Sequence, residues 1–514
     1  MAKKVKFLLS STNWISQILF LWIIRLVYLI HTLPQLKHLH LSLDSKETAQ
    51  VTGDKLEENW EKERLKRKEN ASLMRALASA FGLVYLSLAI WKLLWIGFIW
   101  VGIYFALKGL IQVQQADQNY TAHYYALGLF LSCFLGSLCF HQLAIQSTRI
   151  GIRCRAALMV LVYRKSLKLS YVKGGVGDVV NLISNDCNRI AEACVNGHYL
   201  WSAFLECIVI FVLSIVDIGI SAIPANILIL VVLLPLQYYL ARKASAISYE
   251  ATALITKRVR LLSEMLTAIK LIKFYAWEDY FLSKVNAARK KEVEKERGEL
   301  INKIAAFMTV FVAPILAVLI TLGTYYSING ALPDSAIVFS LLALYNTLRY
   351  PLLLLPSAER TLTGANISIS RLEDYLKLPE IDAPLEITER LQDDLDLVMS
   401  MKNASFTWDG DLDHPHISNL TLNLHRNQIV AVVGDVGSGK SLFAAILGQL
   451  KRTNGDASLH GKIGYVPQEP WLIDATIKDN ILFGLEVDDS KYADTLRLVE
   501  LTRDLILLSN GIVL

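Results

Sequence analysis

Residues 434–441 read GDVGSGKS, in which Gly434, Gly439, Lys440 and Ser441 fit the pattern G-x-x-x-x-G-K-[ST]. That pattern grips nucleoside triphosphates. Its glycines let backbone N–H groups turn toward an anion, its lysine reaches the β/γ-phosphates, and its hydroxyl ligates Mg²⁺. The expected cradle therefore comprises Gly434, Asp435, Val436, Gly437, Ser438, Gly439, Lys440 and Ser441. Two other side chains suit the same ligand. Trp408 closes a strand-like run ahead of the loop and offers a flat face on which a purine can stack. Gln468, in YVPQEPWL, follows a second such run and a proline. A neutral amide there can ligate Mg²⁺ or orient a water while sensing the γ-phosphate. Singly, an aromatic at a strand end is commonly packing, and a lone glutamine says little. Together the three form a constellation.

Such a loop has to be held between a strand and a helix. QIVAVV (428–433) reads as a buried strand entering it, and LFAAILGQL (442–450) as a helix leaving it, with Phe443, Ile446, Leu447 and Leu450 on one face. Further strand signals lie in VMSMKNASFTW (398–408), LTLNLH (420–425) and KIGYVPQ (462–468). Strands around a phosphate loop and its helix indicate a partial α/β P-loop nucleotide-binding domain.

The rest of the chain is a different material. Over 514 residues it is 53% hydrophobic and 19% charged, with mean hydropathy +0.38, which excludes an ordinary soluble enzyme and points into a lipid bilayer. Membrane-length apolar runs lie near 80–111, 124–148, 193–216, 219–240, 303–328 and 336–358. The connections 112–123, 217–221 and 329–335 contain no Lys or Arg, whereas 149–190 and 241–300 are rich in both. By the positive-inside rule the long connections and both termini are cytosolic. Those connections are too long to be plain loops. They read as membrane helices extended into the cytosol, reversing at 174–178 and 275–279. A membrane-embedded bundle of six transmembrane helices with long cytosolic extensions follows.

At the amino terminus, Trp14–Ile30 is short for a span and carries Arg25, which suits an interfacial helix better than a signal peptide. Residues 44–72 mix both charge signs and read as a cytosolic linker or exposed helix outside any core. The expected divisions are 1–75, a membrane domain at 76–371, a linker at 372–397 where proline and acidic residues accumulate, and the nucleotide module at 398–514. The six cysteines show neither zinc-ligand nor C-x-x-C spacing and default to free thiols, and His38 and His40 read as surface histidines. Asn119-Tyr120-Thr121 is a glycosylation sequon in the first external loop. No nucleic-acid partner is expected. Inside the spans, Lys92, Lys108, Glu206 and Arg349 are ionisable and need a partner or an aqueous cavity. Lys92 and Arg349, with Trp95 and Trp201, are candidates to hold an anionic substrate, set against structural ion pairing or snorkelling.

In order and spacing these pieces resemble the first half of an ATP-binding cassette exporter of subfamily C, the multidrug-resistance-associated group. The resemblance rests on RAALMVLVYRKSLKLS (155–170), GDVVNLISNDCNRI (177–190), LLSEMLTAIKLIKFYAWED (261–279), LRYPLLLLP (348–356), NASFTW (403–408), GDVGSGKS, YVPQEPWL and ATIKDNILFG (475–484). It implies adenine stacking at Trp408, phosphate and Mg²⁺ contacts at Gly434–Ser441 and Gln468, and coupling helices at 174–178 and 275–279. It also implies an interfacial elbow helix at Trp14–Ile30 and a partner half supplying a second nucleotide domain.

Two departures stand out. Leu442 replaces a second hydroxyl residue that in the family contacts the α-phosphate, which is expected to weaken nucleotide binding without abolishing it. Between Lys440 and Leu514 there is also no LSGGQ signature, no Walker B strand ending in Asp-Glu and no switch histidine. Lys440 and Gln468 then contribute to a catalytic set that is incomplete, and QIVAVV lacks its flanking strands. Three functions fit: an ATP-driven exporter of amphipathic organic anions or conjugates, an ATP-binding regulatory or channel-associated subunit, or a truncated isoform or gene fragment without independent activity. The chain end points to the last, with no ATP hydrolysis by these residues alone.

Overall fold

The computed structural model describes residue 16 and residues 47–116, 119–169, 176–380, 396–408, 415–434, 440–459, 463–467 and 471–507. The elbow stretch Trp14–Ile30, His38 and His40 therefore fall almost wholly outside the described residues, as do 170–175, 381–395, 435–439 and Gln468. Internal contacts separate two units, Met1–Glu380 and Ile381–Leu514.

The first unit is helical throughout its described part. After α1 (Ala49–Arg67) come α2 (Leu73–Gln115) and α3 (Asn119–Lys168). Then follow α4 (Cys187–Ile218) and α5 (Leu234–Thr267), the short α6 (Ile269–Phe274) and α7 (Glu278–Asn329), and α8 (Ser335–Thr347) and α9 (Arg349–Leu376). Among the described residues, five continuous helical stretches are long and apolar enough to cross a membrane, and one of them, Gly177–Thr267, carries two of the apolar runs. It folds back on itself. Asn226 Nδ2 donates to Ser214 Oγ at 3.1 Å, whereas twelve residues of straight helix span about 18 Å. The reversal occurs at Gly219–Ala222, where Gly219 has φ +64, a conformation glycine adopts without strain. Six crossings result.

Helix lengths account for the basic connections. α3 has 50 residues and α7 has 52. At 1.5 Å per residue each is about 75 Å long, more than twice the thickness of the hydrocarbon core. The expected turn at 275–279 is present between α6 and α7, with Ala276 at φ 52. Of the 174–178 turn, residues 174 and 175 lie outside the described residues.

Residues 44–72 depart from the expectation. They do form a helix, but α1 belongs to a core, with Leu56 and Trp60 buried among residues of α2, α3 and α9. Its apolar stripe is only Thr52, Gly53, Leu56 and Trp60, too sparse to show as periodicity among so many charges. Ionic contacts add to the packing: Glu47 meets Arg149 and Arg153, and Arg164 meets Asp54 at 2.7 Å and also Glu57. Burial raises the Glu47 carboxyl, but the two guanidiniums outweigh it and hold the group below its ordinary value. Gly53 lies so near α3 that a Cβ would stand 2.6 Å from Val160 Cγ1. Gly53→Ala is therefore expected to destabilise the chain by ~1–3 kcal/mol despite the better helix former. Gly298→Ala, where a Cβ meets nothing within 4 Å, is expected to stabilise it by ~0.4–1 kcal/mol. Thermal unfolding of the two variants checks the contrast.

The second unit contains β1 (Leu397–Thr407), β2 (Ile417–His425) and β3 (Lys451–Leu459), antiparallel in the order β2-β1-β3. Between β2 and β3 lies α10 (Lys440–Ile446), and α11 (Ile477–Leu482), α12 (Asp489–Leu498) and α13 (Leu501–Leu507) follow. Two expected strands are not formed. QIVAVV has no ladder, with Ile429 fully exposed and Val433 92% exposed, and Ile463–Pro467 is likewise extended and exposed. An apolar run becomes a strand only when a neighbour pairs with it, and no described strand lies beside either. KRTNGDASL, the sequence of β3, is not among the strand signals of the sequence, being mostly polar. It forms a strand because β1 supplies ladder partners, from Met399 opposite Leu459 to Thr407 opposite Lys451.

Candidate nucleotide site

The site is assembled by docking α10 on the sheet. β1 buries Met399, Met401, Ala404 and Phe406, and α10 presents Ala444 and Ala445 to the same cluster. Of the expected face, Leu450 is buried in this cluster and Ile446 packs against it, but Phe443 is 45% exposed, and the two alanines make the contact instead. Two small side chains let helix and sheet approach closely, which a phenylalanine there would prevent.

That docking brings the end of β1 to the start of α10. Trp408 Nε1 donates to Ser441 Oγ at 3.4 Å, across 33 positions of sequence. Trp408 packs against this core and is half-buried. The candidate for purine stacking and the candidate metal hydroxyl are therefore adjacent. Gly434 is exposed just before the loop, and Lys440 opens α10. Asp435, Val436, Gly437, Ser438, Gly439 and Gln468 lie outside the described residues. Farther along, Thr476 caps α11 by accepting from Asp479 N at 3.0 Å, which anchors the ATIKDNILFG segment.

Among the membrane candidates, Lys92 is enclosed. Its Nζ lies 2.9 Å from Glu206 Oε1, both side chains almost without exposure, and 3.7 Å from the Trp95 ring and 4.4 Å from that of Tyr199. Trp95 is buried as well. Trp201 is 39% exposed and donates from Nε1 to His198 Nδ1 at 3.3 Å. Arg349 is half-buried, with its guanidinium 4.8 Å from the centre of the Phe311 ring. Lys108 pairs with Asp217. The side chain of Asp217, which the sequence places in a short external loop, is instead buried, and Tyr199, beside Lys92, carries no sequence signal of its own.

Both units contain residues that match known protein families. Residues 112–352 match the model of the ABC transporter transmembrane region, and residues 417–511 match that of the ABC transporter cassette. The chain belongs to the ATP-binding cassette transporters of subfamily C. It is 30% identical over 516 residues to ATP-binding cassette sub-family C member 4 of Mus musculus, covering 98% of this chain and 39% of that protein. The Homo sapiens member 4 matches with the same identity and coverage. Sub-family C member 2 of Homo sapiens is 31% identical over 448 residues, 85% of this chain and 28% of that protein. The chain thus spans about two-fifths of the length of the first two relatives. The cassette match implies ATP binding in the second unit of this transporter chain.

Proposed function

We propose that this ATP-binding cassette chain acts as the first half of an exporter that moves amphipathic organic anions or conjugates out of the cytosol with ATP. The observation that carries the reading is the Trp408–Ser441 contact, which joins the stacking face to the phosphate loop. ATP would lie with adenine on Trp408 and phosphates on Gly434, Asp435, Val436, Gly437, Ser438, Gly439, Lys440 and Ser441. Mg²⁺ would be held by Ser441 and Gln468, where it would neutralise charge on the phosphates. A second half or dimer partner would supply the other nucleotide domain.

Of the substrate candidates, Arg349 and Trp201 suit an anion best, because each retains exposure while Glu206 closes off Lys92 and Trp95 is covered. The test is ATP-dependent uptake of a fluorescent glutathione conjugate into inside-out vesicles bearing the chain and a second half. Arg349→Ala is expected to raise the KM for the conjugate. Uptake that is unchanged by withholding ATP would refute the exporter reading.

Both termini belong to the cytosol in this reading, in the plasma membrane or a vacuolar membrane. With the exposed Cys133 replaced by serine, a cysteine at Asn329 is expected to react with an impermeant maleimide from outside intact cells. One at Lys270 should react only after permeabilisation. The reverse pattern would invert the topology.

A further inference from the structure

Where α1, α3 and α9 end together, the first unit has an open cavity of about 610 Å³, lined by Glu61, Arg64, Leu65, Lys68, Glu69 and Lys377. Glu61 and Arg64 are shared with a smaller recess that contains Lys165, Lys168 and Glu380 over a floor of Trp60, Leu161 and Leu376. Lys165 is only 5% exposed and reaches Glu380 Oε1 at 2.9 Å, while it also donates to the Leu378 carbonyl. Burial acts to raise the Glu380 carboxyl, but Lys165, Lys168 and Arg64 outweigh it and hold the group below the ordinary carboxylate range. The recess is thus a place where this fold already stabilises an anion.

The remaining charges are unevenly used. Lys377 is paired with Glu373 at 2.7 Å, and Glu57 with Arg164. Arg64, Lys68 and Lys168 have no ion-pair partner within 4 Å among the described residues; Arg64 and Lys68 line the cavity with Glu61 and Glu69, and Lys168 lines the adjoining recess together with Glu57, Glu61 and Glu380. These cations sit on separate elements: Arg64 in α1, Lys68 just beyond it, and Lys168 at the end of α3. A ligand with several anionic groups can engage cations on separate elements together, each contact adding its own Coulomb attraction. The cavity volume falls in the range that takes a small molecule.

We propose that this cavity and the recess that adjoins it bind a small polyphosphorylated solute, with its phosphates taken by Arg64 and Lys68 in the cavity and by Lys168 in the recess. Binding would brace α1 against α3 beside the last turn of α9, where the first unit ends. The site is separate from the phosphate loop and from the exporter reading.

Inositol hexakisphosphate is the probe. The full 514-residue chain in nanodiscs carries Lys440→Ala so that the phosphate loop does not compete. Equilibrium binding is expected to saturate and to weaken as salt rises. Arg64→Gln and Lys168→Gln should each weaken it roughly tenfold, the scale of one charge-assisted hydrogen bond. Lys290→Gln, at an exposed position on α7, should leave it unchanged and reports on nonspecific charge. Absence of saturable binding overturns the proposal, as does equal weakening by Lys290→Gln or no weakening by Arg64→Gln and Lys168→Gln.

Discussion

Glu206→Leu is expected to destabilise the membrane unit by about 3–5 kcal/mol, because it strands the Lys92 ammonium in a dry interior. Both side chains are almost wholly enclosed and meet at 2.9 Å. Neither Lys92 Nζ nor Glu206 Oε1 has a well-aligned hydrogen bond, so the attraction is chiefly that of the two charges, supplemented by the Trp95 and Tyr199 faces. Lys92→Met should cost a similar amount by stranding the carboxylate. The double variant Lys92→Met/Glu206→Leu is expected to recover most of the loss, since two apolar groups of similar volume need no compensation there. Unfolding temperatures of the three variants in one detergent decide the matter. Strict additivity would show that the two residues act independently and that the pair is not a unit.

In nucleotide binding, Lys440→Ala is expected to abolish photo-crosslinking of an azido-ATP analogue to the second unit. Trp408→Ala should weaken it by roughly 5- to 150-fold, since stacking of a base on an aromatic side chain contributes ~1–3 kcal/mol. Trp408→Phe keeps an aromatic face and removes the indole N–H that donates to Ser441. It should therefore recover most of the affinity if stacking dominates. Equal labelling of the parent, Lys440→Ala and Trp408→Ala would place the nucleotide elsewhere. Weakening by Trp408→Phe as large as by Trp408→Ala would assign the effect to the contact with Ser441.

The sequence by itself determined the kind of molecule. Membrane-length apolar runs separated by connections with and without basic residues set six crossings, because a bilayer leaves a chain of that composition few other arrangements. The phosphate loop was equally legible, since its glycines, lysine and serine lie consecutively and carry their chemistry with them. Trp408 and Ser441 could be named one by one, but only the packing of Ala444 and Ala445 on β1 brought them together.

Other features depend on neighbours that no local pattern reveals. QIVAVV has the composition of a buried strand and is exposed, whereas KRTNGDASL has the composition of a turn and pairs with β1. Strand formation is settled by the partner that completes the ladder, and the partner is distant in sequence. The same holds for charge. Lys92 in an apolar run is open to a substrate contact as well as to an ion pair until Glu206, on another helix, is found beside it. In α1, the charged surface concealed a stripe of four residues, and the tertiary contact of Gly53 with Val160 made that stripe part of the core. Composition and spacing fix which groups are available; a buried group's role follows from what the fold places within a few ångströms of it, because in a low-dielectric interior that neighbour sets its energy.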